Sequence, residues 1–376
     1  MSLRDTAGAV LEIDLDALAE NYRIISRQAG PAQVAGVIKA DGYGLGAKLV
    51  AETLLAQGCR RFFVALLAEA ASLRPALPDN ADIFILNGLQ PGAEQECADI
   101  GAIPVLNSLS QLDRWATMAS RLGRHLPAAL QVDTGMSRLG FPASEIATLI
   151  AQPDRLKGIR LLLIMSHLAS ADDPDAGINV QQLGTFQTLT QHFPDVPRSL
   201  DNSAGSFLPR AHFDLVRAGI ALYGGNPGRG SNPMRPVVSL EARITQLRTV
   251  PAGTGVGYEL SHHCQEPSHI ATIPVGYADG WPRCLGNRGS AFIRDMRVPI
   301  IGRVSMDSMT LDVTHVPDSL LYPGAPVELI GPHQSIDAVA ADAGTIAYEI
   351  LTQLGGRYFR MVKPAQPTAI KRSMTA

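Results

Sequence analysis

Lys39 closes the apolar run Val37-Ile38 and is followed at once by Ala40-Asp41-Gly42-Tyr43-Gly44-Leu45-Gly46. An amine at the tip of a β-type run, desolvated by its apolar neighbours, has a lowered pKa and can condense with a carbonyl as a Schiff base. Other polar residues stand at comparable places, each closing or just following an apolar run: Asn87, the stretch from Asp133 to Arg138, His167, Asn202 with Ser203, and Arg217. Singly each has a plain explanation, such as a capped turn for Asn202-Ser203, a salt bridge for Arg217 or a satisfied core imidazole for His167. Together they gather an amine, an imidazole and two guanidiniums, if the fold brings the run ends to one rim.

The elements that must do this are legible. From residue 34 to about 217 eight apolar runs alternate with helix-like stretches: VAGVI (34–38), RFFVAL (61–66), DIFIL (82–86), AIPVL (102–106), AALQV (128–132), IRLLLIM (159–165), RSL (198–200) and FDLVR (213–217). Intervening segments such as SLSQLDRWATMASRLG start at Ser, Pro or Asn and end at Gly, as helices do. Strand alternating with helix implies a parallel sheet, and eight units imply closure into a (β/α)8 TIM-type barrel, with an open doubly wound sheet as the alternative. On this barrel, sites lie at the carboxyl ends of the strands, where the polar residues stand. The composition turns to loop at GGNPGRGSNP (224–233). The expected domains are therefore a barrel over 1–232 and a mainly-β domain over 233–376. The second carries the strand-like runs VVSLEARITQLRTV, SHIATIPV, SAFIRDM, MTLDV and PVELIG and a helix at about 336–354. The opening VLEIDLD is also strand-like, and pattern leaves its domain open.

With 46% hydrophobic residues and a formal charge of −3, the chain reads as a soluble globular protein and not a nucleic-acid binder. It has no basic-then-apolar leader and no run long enough to span a membrane, so cytoplasm is the expected address. Cys59, Cys97, Cys264 and Cys284 are scattered, which favours reduced thiols. His262-His263-Cys264 are adjacent residues that rarely converge on one ion, so no metal is expected.

Pyridoxal phosphate is the commonest carbonyl that such a lysine holds. Its phosphate needs donors, and Ser203 with the backbone N–H groups of Gly219 and Ile220 in VRAGIALYG would form an anion pocket. At this point the motifs VIKADGYGLGA, VDTGMSRLGF, SHLASAD, DNSAG, VRAGIALYG, VGYADG, IGRVSMD and AGTIAYEIL, in order and nearly end to end, are together similar to the bacterial alanine racemases. The resemblance implies pyridoxal 5'-phosphate held by Lys39, which also serves as one base, with Tyr258 as the other. It implies phosphate contacts from Tyr43, Ser203, Gly219, Ile220 and Tyr348, with Asn202 among the cofactor residues. His167 would pack on the cofactor ring, Arg217 would face the pyridine nitrogen, and Arg138 would contact the phenolic oxygen and the substrate carboxylate. Met306 and Asp307 would contact the substrate, while Tyr277, Arg283 and Arg303 would line its corridor. It further implies a homodimer in which second-domain residues enter the partner's site.

A free tyrosine ionises near ~10, so a basic Tyr258 requires cationic help, for which a relay through His167 to Arg217 would serve. Two positions depart from the family pattern. Gln131 replaces a lysine that many members carry as a carbamate, so the amide is expected to position Arg138. Glu259 replaces the usual glycine after Tyr258 and is expected to point into solvent. Competing readings are a non-catalytic pyridoxal-phosphate homeostasis protein, which would resemble the first domain alone, and a racemase of serine or of a wider range of amino acids.

Overall fold

The computed structural model describes residues 3–210 and 212–365. The chain forms two compact units, one of residues Asn21–Met234 and one of Met1–Glu20 together with Arg235–Ala376. Strand β1 (Ala9–Asp14) belongs to the latter.

In the first of these, eight strands follow in order: β2 (Gln33–Val37), β3 (Arg61–Val64), β4 (Asp82–Ile85), β5 (Ile103–Leu106), β6 (Leu126–Gln131), β7 (Ile159–Met165), β8 (Arg198–Ser199) and β9 (Leu215–Ala218). They are the eight runs read from the sequence, within two residues at each end. Neighbours from β2 to β8 are parallel, and β9 returns to pair with β2. The last seam closes through Asp214 N–H donating to Arg198 O (3.0 Å), Arg217 N–H to Asp201 O (3.0 Å) and Ser199 Oγ to Leu215 O (2.6 Å). Consecutive residues Phe62, Phe63 and Val64 are all buried, because a parallel strand is covered on both faces. Outside lie the helices. Leu109–Leu122 shows how the sequence sets their ends: Ser108 Oγ accepts from Gln111 N–H at 3.3 Å, and Gly123 ends the helix in the left-handed region, φ 62°.

The other unit is built on a nine-stranded sheet. After β10 (Val238–Arg243) and β11 (Gln246–Val250) come the short pair β12 (Gly255–Val256) and β13 (His262–His263). Then follow β14 (Ser268–Ile273), β15 (Ser290–Ile293), β16 (Met296–Ile301), β17 (Met309–Asp312), β18 (Pro326–Ile330) and β19 (Phe359–Lys363). The sheet order is β11-β14-β17-β16-β15-β18-β10-β1-β19. β1 lies between an antiparallel β10 and a parallel β19, which settles the opening strand that pattern left unassigned and carries residues up to Glu20 out of the barrel unit. The run VVSLEARITQLRTV is two strands, turned where Ile244 and Thr245 donate to Ala325 O (3.0 Å) and Thr272 O (2.8 Å). The helix expected at about 336–354 is likewise two, Ile336–Ala343 and Ala347–Gln353, because Gly344 takes φ 73° and stops the first. Among the described residues no helix is long and apolar enough to cross a membrane.

Candidate active site

Strand β2 delivers Lys39 to the carboxyl-terminal mouth of the barrel. The chain then makes one turn of left-handed helix, with φ of 53° at Ala40, 52° at Asp41, 64° at Gly42 and 56° at Tyr43. Three of these residues carry a Cβ, and at about 1–2 kcal/mol each the turn holds roughly 3–6 kcal/mol of strain. It is tied down by Gly42 N–H to Ile38 O (2.9 Å), Gly44 N–H to Ala40 O (2.8 Å) and Gly46 N–H to Asp41 O (2.8 Å). The Asp41 carboxylate accepts from Ala47 N–H at 2.8 Å. Burial pushes the Lys39 amine below its ordinary pKa, the Arg138 charge pushes it further, and Glu69 opposes both.

The turn ends on Tyr43, which is buried and stacks on Tyr223 with ring centroids 4.4 Å apart. Tyr223 is fixed in turn by donating to Val37 O at 3.0 Å. Opposite stands the loop after β9. Ser203 Oγ accepts from Gly219 N–H at 2.8 Å and from Ala221 N–H at 3.3 Å. The Gly219 N–H, expected to face an anion, thus holds the Ser203 hydroxyl, which keeps its own proton to donate. A Cβ on Gly219 would fall on the Tyr43 hydroxyl, so Tyr43, Ser203 and the Gly219-Ile220 step converge on one small space.

Arg217 is buried across the seam. Its Nη1 donates to Ser199 O (3.0 Å) and Ser199 Oγ (2.5 Å), and its Nη2 to Ser166 O (2.5 Å) and Leu200 O (3.4 Å). The same Nη2 lies 3.4 Å from His167 Nδ1. A guanidinium has donors only, so this contact needs an accepting Nδ1 and the imidazole proton on Nε2, whereas the Asn202 amide beside Nε2 calls for the other tautomer. Burial brings Arg217 down to about 10, against a raising contribution from Asp201, and leaves it charged at neutral pH. Burial, then Arg217, Arg138 and Lys39, push His167 down to about 3. A neutral His167 in the fold and an ordinary one in the unfolded chain, near ~6.5, mean that the unfolded chain binds more protons between these values. This contribution to stability is complete above about pH 6.5 and falls by roughly 2 kcal/mol between pH 7 and 5. We expect His167→Asn to flatten that part of the pH dependence of the urea midpoint; an unchanged slope would show that His167 does not supply it.

Arg138 is exposed on the loop after β6. That loop is shaped by Asp133 Oδ1, which accepts from Gly135, Met136 and Ser137 N–H at 2.9, 3.0 and 3.1 Å. The buried Gln131 donates from Nε2 to Leu139 O at 3.1 Å, so it acts on the backbone beside Arg138. Two supporting groups, Gln182 and Asp201, escaped the sequence reading, and a third, Asn202, was named in it. Gln182 donates to His167 O (2.9 Å) and Thr134 Oγ1 (3.0 Å). The buried Asp201 pairs with Arg210 and, at 2.8 Å, with His212 Nδ1. Asn202 Oδ1 accepts from Gly205 N–H at 2.9 Å and its Nδ2 is 3.5 Å from His167 Nε2. Gln182 and Asp201 have no sequence signal, since their partners are backbone groups or side chains of other segments, whereas the Asn202 bond to Gly205 is the capped turn expected there.

The remaining named residues belong to the sheet unit. Tyr258 is 68% exposed, on a turn with φ 72° at Gly257, 59° at Glu259 and 48° at Leu260. Asn287 anchors the turn by donating to Ser261 O and Oγ, both at 3.2 Å, and accepting from Gly302 N–H at 2.6 Å. Glu259 is largely exposed, yet its carboxylate does not simply face solvent: it pairs with Arg303. Ser305 O and Met306 O accept from Tyr277 and Ala278 N–H, both at 3.0 Å, and a Cβ on Gly276 would collide with these carbonyls. Arg357 braces Asp307 (2.6 Å) against the buried Asp279 (3.0 Å). Thus 302–308 joins the Tyr258 turn to the Tyr277 turn. Arg283 is exposed, and Tyr348 stands half exposed on Ala347–Gln353.

A (β/α)8 barrel with a desolvated lysine at its mouth, a serine hydroxyl at a glycine step and a buried arginine, joined in one chain to a mainly-β unit, fits the barrel class of pyridoxal-phosphate enzymes. Residues 13–227 match the family model described as alanine racemase, N-terminal domain, and residues 237–362 match alanine racemase, C-terminal domain. The chain belongs to the alanine racemase family. It is 52% identical over 359 residues to a catabolic alanine racemase of Rhizobium johnstonii, covering 95% of both chains. It is 49% identical to an alanine racemase of Brucella abortus, covering 94% of this chain and 93% of that one. Among solved structures, an alanine racemase of Bartonella henselae with covalently bound pyridoxal phosphate superposes with a TM-score of 0.92 at 43% identity, covering 95% of this chain and 100% of that one.

Proposed function

We propose that this protein is a pyridoxal-phosphate-dependent alanine racemase that interconverts L- and D-alanine with two bases. The observation that carries the reading is the desolvated Lys39 at the start of a left-handed turn whose last residue, Tyr43, reaches the Gly219 step beside Ser203. The residues fit the cofactor: an amine of lowered basicity for the aldehyde, a hydroxyl at a glycine step that admits no Cβ for the phosphate, and a charged Arg217 for the ring nitrogen. Lys39, Tyr43, Arg138, His167, Asn202, Ser203, Arg217, Gly219, Ile220 and Tyr348 would hold it. Bound there, it supplies an electron sink for the carbanion at the substrate Cα.

The protein supplies placement and proton handling. Arg138 takes the substrate carboxylate as a planar donor pair. Lys39 Nζ removes or returns the Cα proton on one face, and Tyr258 Oη does so on the other. Arg217, always a donor, leaves no proton for the ring nitrogen and restrains the sink, which disfavours transamination. The exposed Tyr258, Met306, Tyr277, Ile346 and Tyr348 of the sheet unit support a homodimer in which Tyr258 of the partner subunit faces Lys39, with Met306 and Asp307 contacting substrate and Tyr277, Arg283 and Arg303 lining the entry. Enantiomers have equal free energy in water, so the same site serves either supply of D-alanine for peptidoglycan or its consumption. The relative named catabolic supports consumption. A cytoplasmic location completes the reading.

The loaded enzyme, incubated with L-alanine in D₂O, is expected to yield D-alanine carrying deuterium at Cα. Bound cofactor without deuterium incorporation would refute racemisation of alanine and leave serine or a carrier role. Gly219→Ala is expected to weaken retention of pyridoxal phosphate about tenfold or more, because Tyr43, stacked on Tyr223, has little room to yield to the new methyl. Equilibrium dialysis of the two proteins reads this directly, and equal retention would show that the step is not part of the phosphate cradle.

A further inference from the structure

The left-handed turn behind Lys39 is anchored at its start by the side chain of Glu69. Glu69 lies in the helix Leu67–Leu73 that follows β3. Its Oε1 accepts from Ala40 N–H at 2.6 Å, and its Oε2 accepts from Ala65 N–H at 2.7 Å and Leu66 N–H at 3.1 Å. One carboxylate thus fastens the residue after the lysine to the carboxyl end of the neighbouring strand and to the helix start beyond it. Ala40 is the first left-handed residue, so its N–H points away from the β2 ladder and needs a partner supplied from outside the turn.

We propose that Glu69 is a positioning residue for Lys39: its carboxylate clamps the start of the strained turn to β3 and sets both the direction and the basicity of the amine. The inference rests on the reading of Lys39 as the cofactor-bearing amine. The charged groups that act on Lys39 are Arg138, which disfavours its ammonium, and Glu69, which favours it; His167 is nearby and neutral. A glutamine at this place keeps the shape but loses the charge and has one acceptor oxygen for donors that now use two.

Full-length wild type and Glu69→Gln, both stripped of cofactor, are compared by two readouts. Amide hydrogen exchange over 40–46 is expected to run about tenfold faster or more in the variant, with the helices on the far side of the barrel unchanged. The pH midpoint for labelling Lys39 with trinitrobenzenesulfonate, located by peptide mass, is expected to fall by about half a unit or more. Glu69→Asp keeps the charge on a shorter arm and is expected to restore the midpoint while the exchange stays fast. Unaltered exchange in Glu69→Gln overturns the proposal, and so does faster exchange with an unmoved midpoint, which would make Glu69 a structural cap only. If Glu69→Gln does not fold, Glu69→Asp decides alone: fast exchange over 40–46 supports the clamp and unaltered exchange removes it. Neither readout needs the cofactor, so a protein that gave both results yet took up no pyridoxal phosphate would remove the proposed function and leave the clamp standing.

Discussion

Lys39→Ala is expected to abolish racemisation, with turnover reduced ~10³-fold or more, because one substitution removes both the covalent anchor of the cofactor and one of the two proton carriers. The two losses separate experimentally. Borohydride treatment of the wild type should fix a pyridoxyl phosphate mass on the peptide that carries Lys39, and the variant should show none. Added methylamine replaces the missing amine as a carbonyl partner, though without its placement, so it should restore a small part of the deuterium exchange. Full activity in Lys39→Ala would exclude the site as drawn. The fold should tolerate the change: Lys39 lies outside the β2 ladder, and no backbone bond of the turn depends on its side chain.

Tyr258→Phe should produce an asymmetric defect. With the hydroxyl gone, proton removal from L-alanine is expected to slow by about 10²- to 10⁴-fold, the usual worth of a positioned acid or base. Lys39 remains, so D-alanine in D₂O should still acquire deuterium at Cα while hardly inverting. Exchange without inversion from one enantiomer only is a signature that a general loss of structure would not give. Equal rates from both enantiomers in the variant would exclude Tyr258 as a base. The Phe ring preserves the aromatic body at a largely exposed position, and the turn is held by Asn287 and the Glu259–Arg303 pair rather than by the phenol.

The barrel was legible because a parallel strand buried on both faces must be a nearly unbroken apolar run, and helices with Ser caps and Gly ends separate the runs. The rim residues followed from where those runs stop. The backbone at Lys39 was not legible: Gly42, Gly44 and Gly46 announce positive φ, but Ala40, Asp41 and Tyr43 share it, and their types give no warning. Nor could Glu69 be found, since its partners are N–H groups, which every residue but proline carries. In the sheet unit, β16 escaped because Pro299 breaks its pattern; its pairing with β17 is confined to Ile300 and Ile301, beyond the missing N–H. The split at Gly344 was readable in principle, because Gly in the midst of a helical pattern is a common stop. The bracing of Asp307 by Arg357 links segments 50 residues apart, and spacing carries no record of such a pair.

The sheet unit is discontinuous, and its strand β1 sits between β10 and β19. At 5–20 residues per second, a ribosome that has finished β1 needs roughly 20–70 s to make β19. The whole barrel emerges within that interval and can close first. Until β10 is made, Leu11 and Ile13, both among the most buried residues of the finished sheet, belong to a strand with no partner, and its second edge stays open until β19. The barrel unit can therefore mature early while one edge of the first strand waits for the end of translation, and this wait is when the chain is most exposed to mispairing with another copy or to capture by a chaperone.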